Sequence, residues 1–233
     1  MFQTIRPSRA LLTATAVLLL ASVATAGPKE GKRKAVVEKE PDGTVSLINI
    51  ASSTGYETEE QAHARVGSSP QAQAAVHAEH YELTIDRELQ GGILGGVIEA
   101  GGSRVRFTLT GEGDLEGFNH TIDLPASFEV HSAPRKGASV ETFDTNMYRI
   151  QGEGKSEVFE YFRLVGGTAN GYPSPGQMTL TSVGDNQVMV ESFFNIGFRI
   201  EFKGAKEGPF AGLEDKIEGA VIMRAHAAEE SSR

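Results

Sequence analysis

From Tyr81 onward the chain alternates apolar and polar positions with a period of two. Tyr81, Leu83 and Ile85 alternate with Glu82, Thr84 and Asp86, and Val105, Phe107 and Leu109 with Arg106, Thr108 and Thr110. Successive side chains of extended backbone point to opposite faces, so each run predicts a strand with one buried and one wet face. The clearest run sets Ile196, Phe198, Ile200 and Phe202 against Gly197, Arg199, Glu201 and Lys203. Further strands are predicted over residues 127–132, 146–151, 157–165, 177–183 and 217–224. Val188-Met189-Val190 enters the same sheet through a bend at Glu191-Ser192. Gly- and Pro-rich turns punctuate the series: Gly111-Glu112-Gly113, Pro134 to Gly137, Gly152-Glu153-Gly154, Pro173 to Gly176 and Gly184-Asp185-Asn186.

Many short strands with frequent turns define an antiparallel all-β protein, a sandwich or a barrel. The expected architecture is a sandwich-like single domain over residues 81–225. An outer-membrane barrel would need longer strands with a continuous lipid-facing band, which this polar, irregular pattern does not supply.

Residues 27–80 read differently. Gly27 to Glu40 is a charged tail, and Pro41-Asp42-Gly43 is a turn. Thr44 to Ile50 alternates and predicts one strand. Thr54 to His80 predicts one or two short helices, since Ser69-Pro70 resembles a cap followed by proline at the first helical position. The residues that follow, Gln71 to His80, are good helix formers. Residues 226–233 are expected to be a flexible tail.

Met1 to Ala26 has the layout of a secretory signal peptide. Arg6 and Arg9 charge its start, Ala10 to Val23 is apolar, and Ala24-Thr25-Ala26 forms an A-x-A cleavage site. The apolar run is shorter than the roughly 20 residues of a spanning helix. The reading is therefore an exported protein, periplasmic or secreted, with no transmembrane segment after signal removal. The chain has no Cys. An exported fold of this kind holds by burial and backbone pairing alone, and thiol nucleophiles, Cys-ligated zinc and iron–sulfur clusters are excluded.

Net charge is −9, and residues 1–26 contribute two basic and no acidic residues, so the remainder carries −11. An acidic surface repels phosphate backbones and anionic membranes, which argues against nucleic acid as a partner. The one basic run, Lys32-Arg33-Lys34, is followed by Glu38 and Glu40 and reads as a solvated tail.

Few residue patterns point to chemistry. Glu112, Asp114, Glu116, Gly117 and Asp123 follow the first, third, fifth, sixth and twelfth places of a calcium loop. Carboxylates two apart in a turn can converge on a hard cation, so Glu112, Asp114, Glu116 and Asp123 are candidate calcium ligands. The pattern departs at three places, with Glu at the first and fifth, Asp at the twelfth, and no flanking helices. A solvated acidic hairpin tip is the simpler reading. No other cofactor is implied.

His77 and His80, three apart on the expected helix, could share a metal with His63, although exposed histidines on a polar helix explain them as well. His120, Asp123 and His131 could assist a hydrolytic Ser, but no G-x-S-x-G elbow is present. Gly154-Lys155-Ser156 lacks the earlier glycine of a phosphate loop, since Arg149 stands there. Asn119-His120-Thr121 is a glycosylation sequon.

Asn146-Met147-Tyr148-Arg149, Pro173-Ser174-Pro175-Gly176-Gln177 and Glu191-Ser192-Phe193-Phe194-Asn195-Ile196 lie in the C-terminal half. Together they resemble a group of exported bacterial all-β proteins with a P-S-P-G-Q turn and an S-F-F-D-I-like segment. Asn195 stands where that pattern tends to have Asp. The resemblance implies export and a β fold, and transfers no activity or site.

The leading functional expectation is a non-enzymatic protein of the envelope or exterior, binding a protein or polysaccharide partner. The alternatives are a calcium-assisted binding module and a hydrolase acting on an extracellular polymer.

Overall fold

The computed structural model describes residues 34–41, 45–67, 69–184 and 186–227. The signal-peptide reading and residues 228–233 of the expected tail lie outside them. In chain order the elements are β1 (Ala35–Glu38), α1 (Leu47–Ser53), β2 (Thr54–Thr58), β3 (Ala62–Arg65), β4 (Ala72–Gly91), β5 (Gly96–Gly113) and β6 (Asn119–Ser132). They continue with β7 (Val140–Gly154), β8 (Phe159–Gly166), a single 3-10 turn at Thr168–Asn170, β9 (Pro175–Ser182), β10 (Gln187–Gly204) and β11 (Glu214–Ala227). All pairings are antiparallel, as the all-β reading predicts, and the strands form one sheet.

That sheet curls round until it meets itself. Pairing runs β11–β2–β4–β5–β6–β7–β8–β10 and returns from β10 to β11. Strands β8 and β9 fill one slot between β7 and β10: Ile150 pairs with Gly166, and Asn146 with Pro175. The intervening residues, Gly167 to Ser174, bulge out of the ladder.

Strand β10 is a single strand through Glu191-Ser192, with a change of neighbours rather than of path. Its first part pairs with β1 and β9, its second with β11 and β8. The alternation read from the sequence holds there: Ile196, Ile200 and Phe202 are buried.

Two local expectations are corrected. Of the predicted strand at Thr44 to Ile50, residues 45–50 are instead the lead-in, cap and first turn of helix α1, and Thr44 lies outside the described residues. Ser46 caps α1, its Oγ accepting the Ile48 N–H at 3.1 Å, and Ile50 and Ala51 of the helix are buried. The short helices predicted over Thr54 to His80 are instead β2, β3 and, from Ala72, the first half of β4. Ala72, Ala74, Ala78 and His80 face inward there, and the partners of this stretch on β5 run from Gly113 to Val105. Alanine is the best helix former, but by less than about 1 kcal/mol per residue, and a complete ladder plus a buried face outweighs that preference. Strand β4 therefore crosses residue 80 without a break, and β11 runs on through His226 and Ala227, which pair with Gly55 and Thr54.

Strand β4 bends at two register shifts, after Tyr81 and after Ile85. Gly101 pairs with Ile85 at the second, where a Cβ would stand 1.7 Å from the Thr84 carbonyl oxygen, so only glycine fits.

Both ends of the barrel are stopped. At one, Val45 and Ile50 pack with Ala35, Val37, Phe143, Met178, Leu180, Val188 and Val190. At the other, Phe210 in the β10–β11 connection stacks on Phe159 at 5.3 Å and meets Phe118 edge-on at 5.0 Å. The main core lies between these ends.

A candidate binding cavity and its surroundings

Between the aromatic stop and the level of His80 the packing is incomplete. The space left is a cavity of about 80 Å³. Its wall is apolar almost throughout: Ala74, Val76 and Ala78 from β4, Val105, Phe107 and Leu109 from β5, Ile196, Ile200 and Phe202 from β10. The physical cause is the alanines. On an inward face their side chains are too short to meet the rings and branched chains opposite, and a strand cannot bend in to close the gap.

The wall is open along one line. Strand β11 pairs with β10 over Glu214 to Arg224 but with β2 only over Met223 to Ala227. Strand β2 in turn pairs with β4 at two positions, Tyr56 with His80 and Glu57 with Glu79. Beyond them β4 pairs with β3. The Glu59 N–H donates to Ile222 O at 2.9 Å, and past that point no ladder joins β3 to β11 among the described residues. Ala62, His63 and Ala64 of β3 and Ile217, Gly219 and Val221 of β11 line the cavity on either side of this slit.

The inner end carries polar groups that the sequence did not single out as a set. His80 is buried, with Nε2 2.7 Å from Ser103 Oγ, and its ring meets Phe128 edge-on. Burial pushes its pKa down to about 4, so it is neutral at neutral pH. The Tyr56 hydroxyl donates to Ser192 Oγ at 3.2 Å, and burial pushes its pKa up to about 12. Glu99 is 8 % exposed and faces the same interior, further toward α1. Burial, with Glu88 adding and Arg135 opposing, raises its pKa to about 7. The signal available in sequence was His80 in step with Ala74 and Ala78 at period two, which a helical reading hides.

The candidate calcium ligands do not converge. Glu112 bonds His63 Nδ1 at 3.0 Å, and Asp114 accepts from Ser69 Oγ at 2.6 Å. Glu116 sits on the β5–β6 turn, its N–H donating to Gly113 O. Asp123 lies on β6 in an outer-face network, accepting from Arg104 and from the Tyr81 hydroxyl, with Arg106 3.6 Å away. Arg106 also bonds Glu79 at 3.0 Å and covers the Tyr81 ring. Among the described residues no group of three or more His, Asp or Glu is placed to hold a metal ion.

His77 and His80, three apart on a strand, face opposite sides: His77 bonds Thr58 Oγ1 on the outside. The three groups considered for hydrolysis are likewise separate. His120 pairs with Ser156 Oγ at 2.9 Å near the aromatic stop. His131 lies under the β4–β5 hairpin, where Nδ1 accepts the Ile93 N–H, Nε2 meets Glu129 and the ring stacks on Tyr148 at 4.2 Å. Since Nδ1 is an acceptor there, the Nε2 proton is donated to Glu129.

Ser174, from the Pro-Ser-Pro-Gly-Gln turn, is fully buried. Its Oγ donates to Tyr172 O and accepts the Gly197 N–H at 3.0 Å, which pins the bulge between β8 and β9 onto β10.

No family model, curated protein or solved structure matches this chain.

Proposed function

We propose that this is an exported, non-enzymatic binding protein that holds a small apolar molecule inside its barrel. The observation that carries the reading is the apolar cavity beside the unpaired slit. An apolar space gives water too few partners to be worth filling, whereas an apolar solute gains both burial and dispersion contacts there. Mouths and interiors of β-barrels are common places for such ligands.

The test is a titration of the chain with N-phenyl-1-naphthylamine, an uncharged dye that brightens in apolar surroundings. The expected result is saturable enhancement in the micromolar range, reduced at least tenfold in Ala64→Phe, whose ring would occupy the cavity from β3. A dye that stays dark with the native chain overturns the reading.

A further inference from the structure

Resting on that reading, we infer that the ligand is an uncharged, chain-like molecule engulfed along its length, rather than an acid or a cation of the same chain. Three observations converge on this class.

The first is shape. The wall includes residues from Ala74 to His80 on β4 and from Ile196 to Phe202 on β10. Seven residues of strand, six rises, span roughly 20 Å. A small volume spread over that length is a narrow path, suited to a slender molecule lying along the strands, such as a single chain.

The second is the lack of a counter-ion inside. Among the described lining residues only His63 and His80 titrate. His80 is committed to Ser103 and enclosed by Tyr56 and Phe128. His63 is tied to Glu112 at the mouth. A carboxylate or ammonium drawn into this wall would be desolvated without a partner, which costs several kcal/mol. A hydroxyl or carbonyl costs far less.

The third is the rim. Glu59, Glu60, Glu112, Glu214, Asp215 and Glu218 stand on the strands and turns beside the slit, with Arg65, Lys216 and Arg224 among them and with Lys203 and Arg199 opposite Glu214 and Glu218 on β10. Glu59 and Arg224 already pair at 2.9 Å. With acids and bases nearly balanced, the rim offers little net charge to hold either kind of ionic head.

The experiment is displacement of N-phenyl-1-naphthylamine at pH 7.5 by 1-decanol, decanoate and decyltrimethylammonium. A ten-carbon chain is shorter than the path, so any charged head would be drawn inside. The expected order places decanol at least tenfold ahead of both ions. Dye binding with decanoate or the cation equal to decanol overturns this inference while leaving the cavity reading intact. No dye binding overturns both. Val76→Lys supplies the missing cation from a half-buried position lining the cavity next to β3. Decanoate should then gain tenfold or more relative to decanol, and an unchanged ratio in a folded variant refutes the electrostatic argument.

Discussion

His80 and Ser103 are diagonal cross-strand neighbours inside the barrel, with Nε2 and Oγ 2.7 Å apart. The pair replaces water for an imidazole that has no solvent to turn to. It also marks where the apolar cavity ends and the more polar level of Tyr56, Ser192 and Glu99 begins.

His80 should make the fold acid-sensitive. Its pKa falls from 6.5 to about 4 in the fold, so the unfolded chain takes the proton first. Stability is then level above about pH 6.5 and declines as pH falls toward 4, by up to about 3 kcal/mol. His80→Gln should flatten that decline. Urea melts of both chains at pH 7.5 and 4.5 check it, and parallel losses in the two would refute it.

Glu99 works in the opposite direction. Its pKa rises from 4.5 to about 7, so the unfolded chain releases the proton first. Stability from this group is present at low pH and lost as pH rises from about 4.5 to 7, again by up to about 3 kcal/mol. Glu99→Gln should therefore stabilise the protein at pH 8 and leave it nearly unchanged at pH 4. Equal melting points at pH 8 would refute the assignment.

Phe210 closes the end of the barrel away from α1. Phe210→Ala should cost about 3–5 kcal/mol, and Phe210→Leu clearly less, in denaturant melts. The loop that carries it depends on Gly204, where a Cβ would lie 1.8 Å from the Phe210 carbonyl oxygen. Gly204→Ala should destabilise at least as much as Phe210→Leu.

Arg135 ties the β6–β7 connection to the start of α1. Its Nε donates to Glu141 at 2.9 Å and its Nη1 to Val45 O at 2.8 Å. Burial works against the Glu141 charge, but Arg135 and the N–H groups of Lys136 and Gly137 hold its pKa below the usual range. Arg135→Ala leaves a buried carboxylate short of its cation, so a loss of about 3 kcal/mol is expected. Hydrogen exchange over residues 45–53 should quicken more than over β5 and β6. Uniform quickening would show that the tie to α1 carries no special weight.

The strands from Tyr81 onward were legible because one wet and one dry face leave a period of two in the sequence. The run from Ile196 to Phe202 is the plainest case. The N-terminal region was misread for two identifiable reasons. Alanine at 72, 74 and 78 is a helix former that also satisfies an inward strand face, and only its partners on β5 decide between them. Ser46 reads as one more polar residue of an alternating run until its side chain is seen accepting the Ile48 N–H.

The sequence by itself determined the class of fold, the absence of disulfides and the net negative charge, because each depends on local pattern or composition. Tertiary structure decided the rest. Which strand closes against which follows from long-range pairing, such as that of β10 with both β8 and β11. The spacing of Glu112, Asp114, Glu116 and Asp123 suggested convergence, and the sheet instead sent Asp123 to Arg104 and Glu112 to His63. The cavity was invisible for the same reason: it is the space between residues more than a hundred positions apart, and no local pattern records what two distant side chains fail to fill.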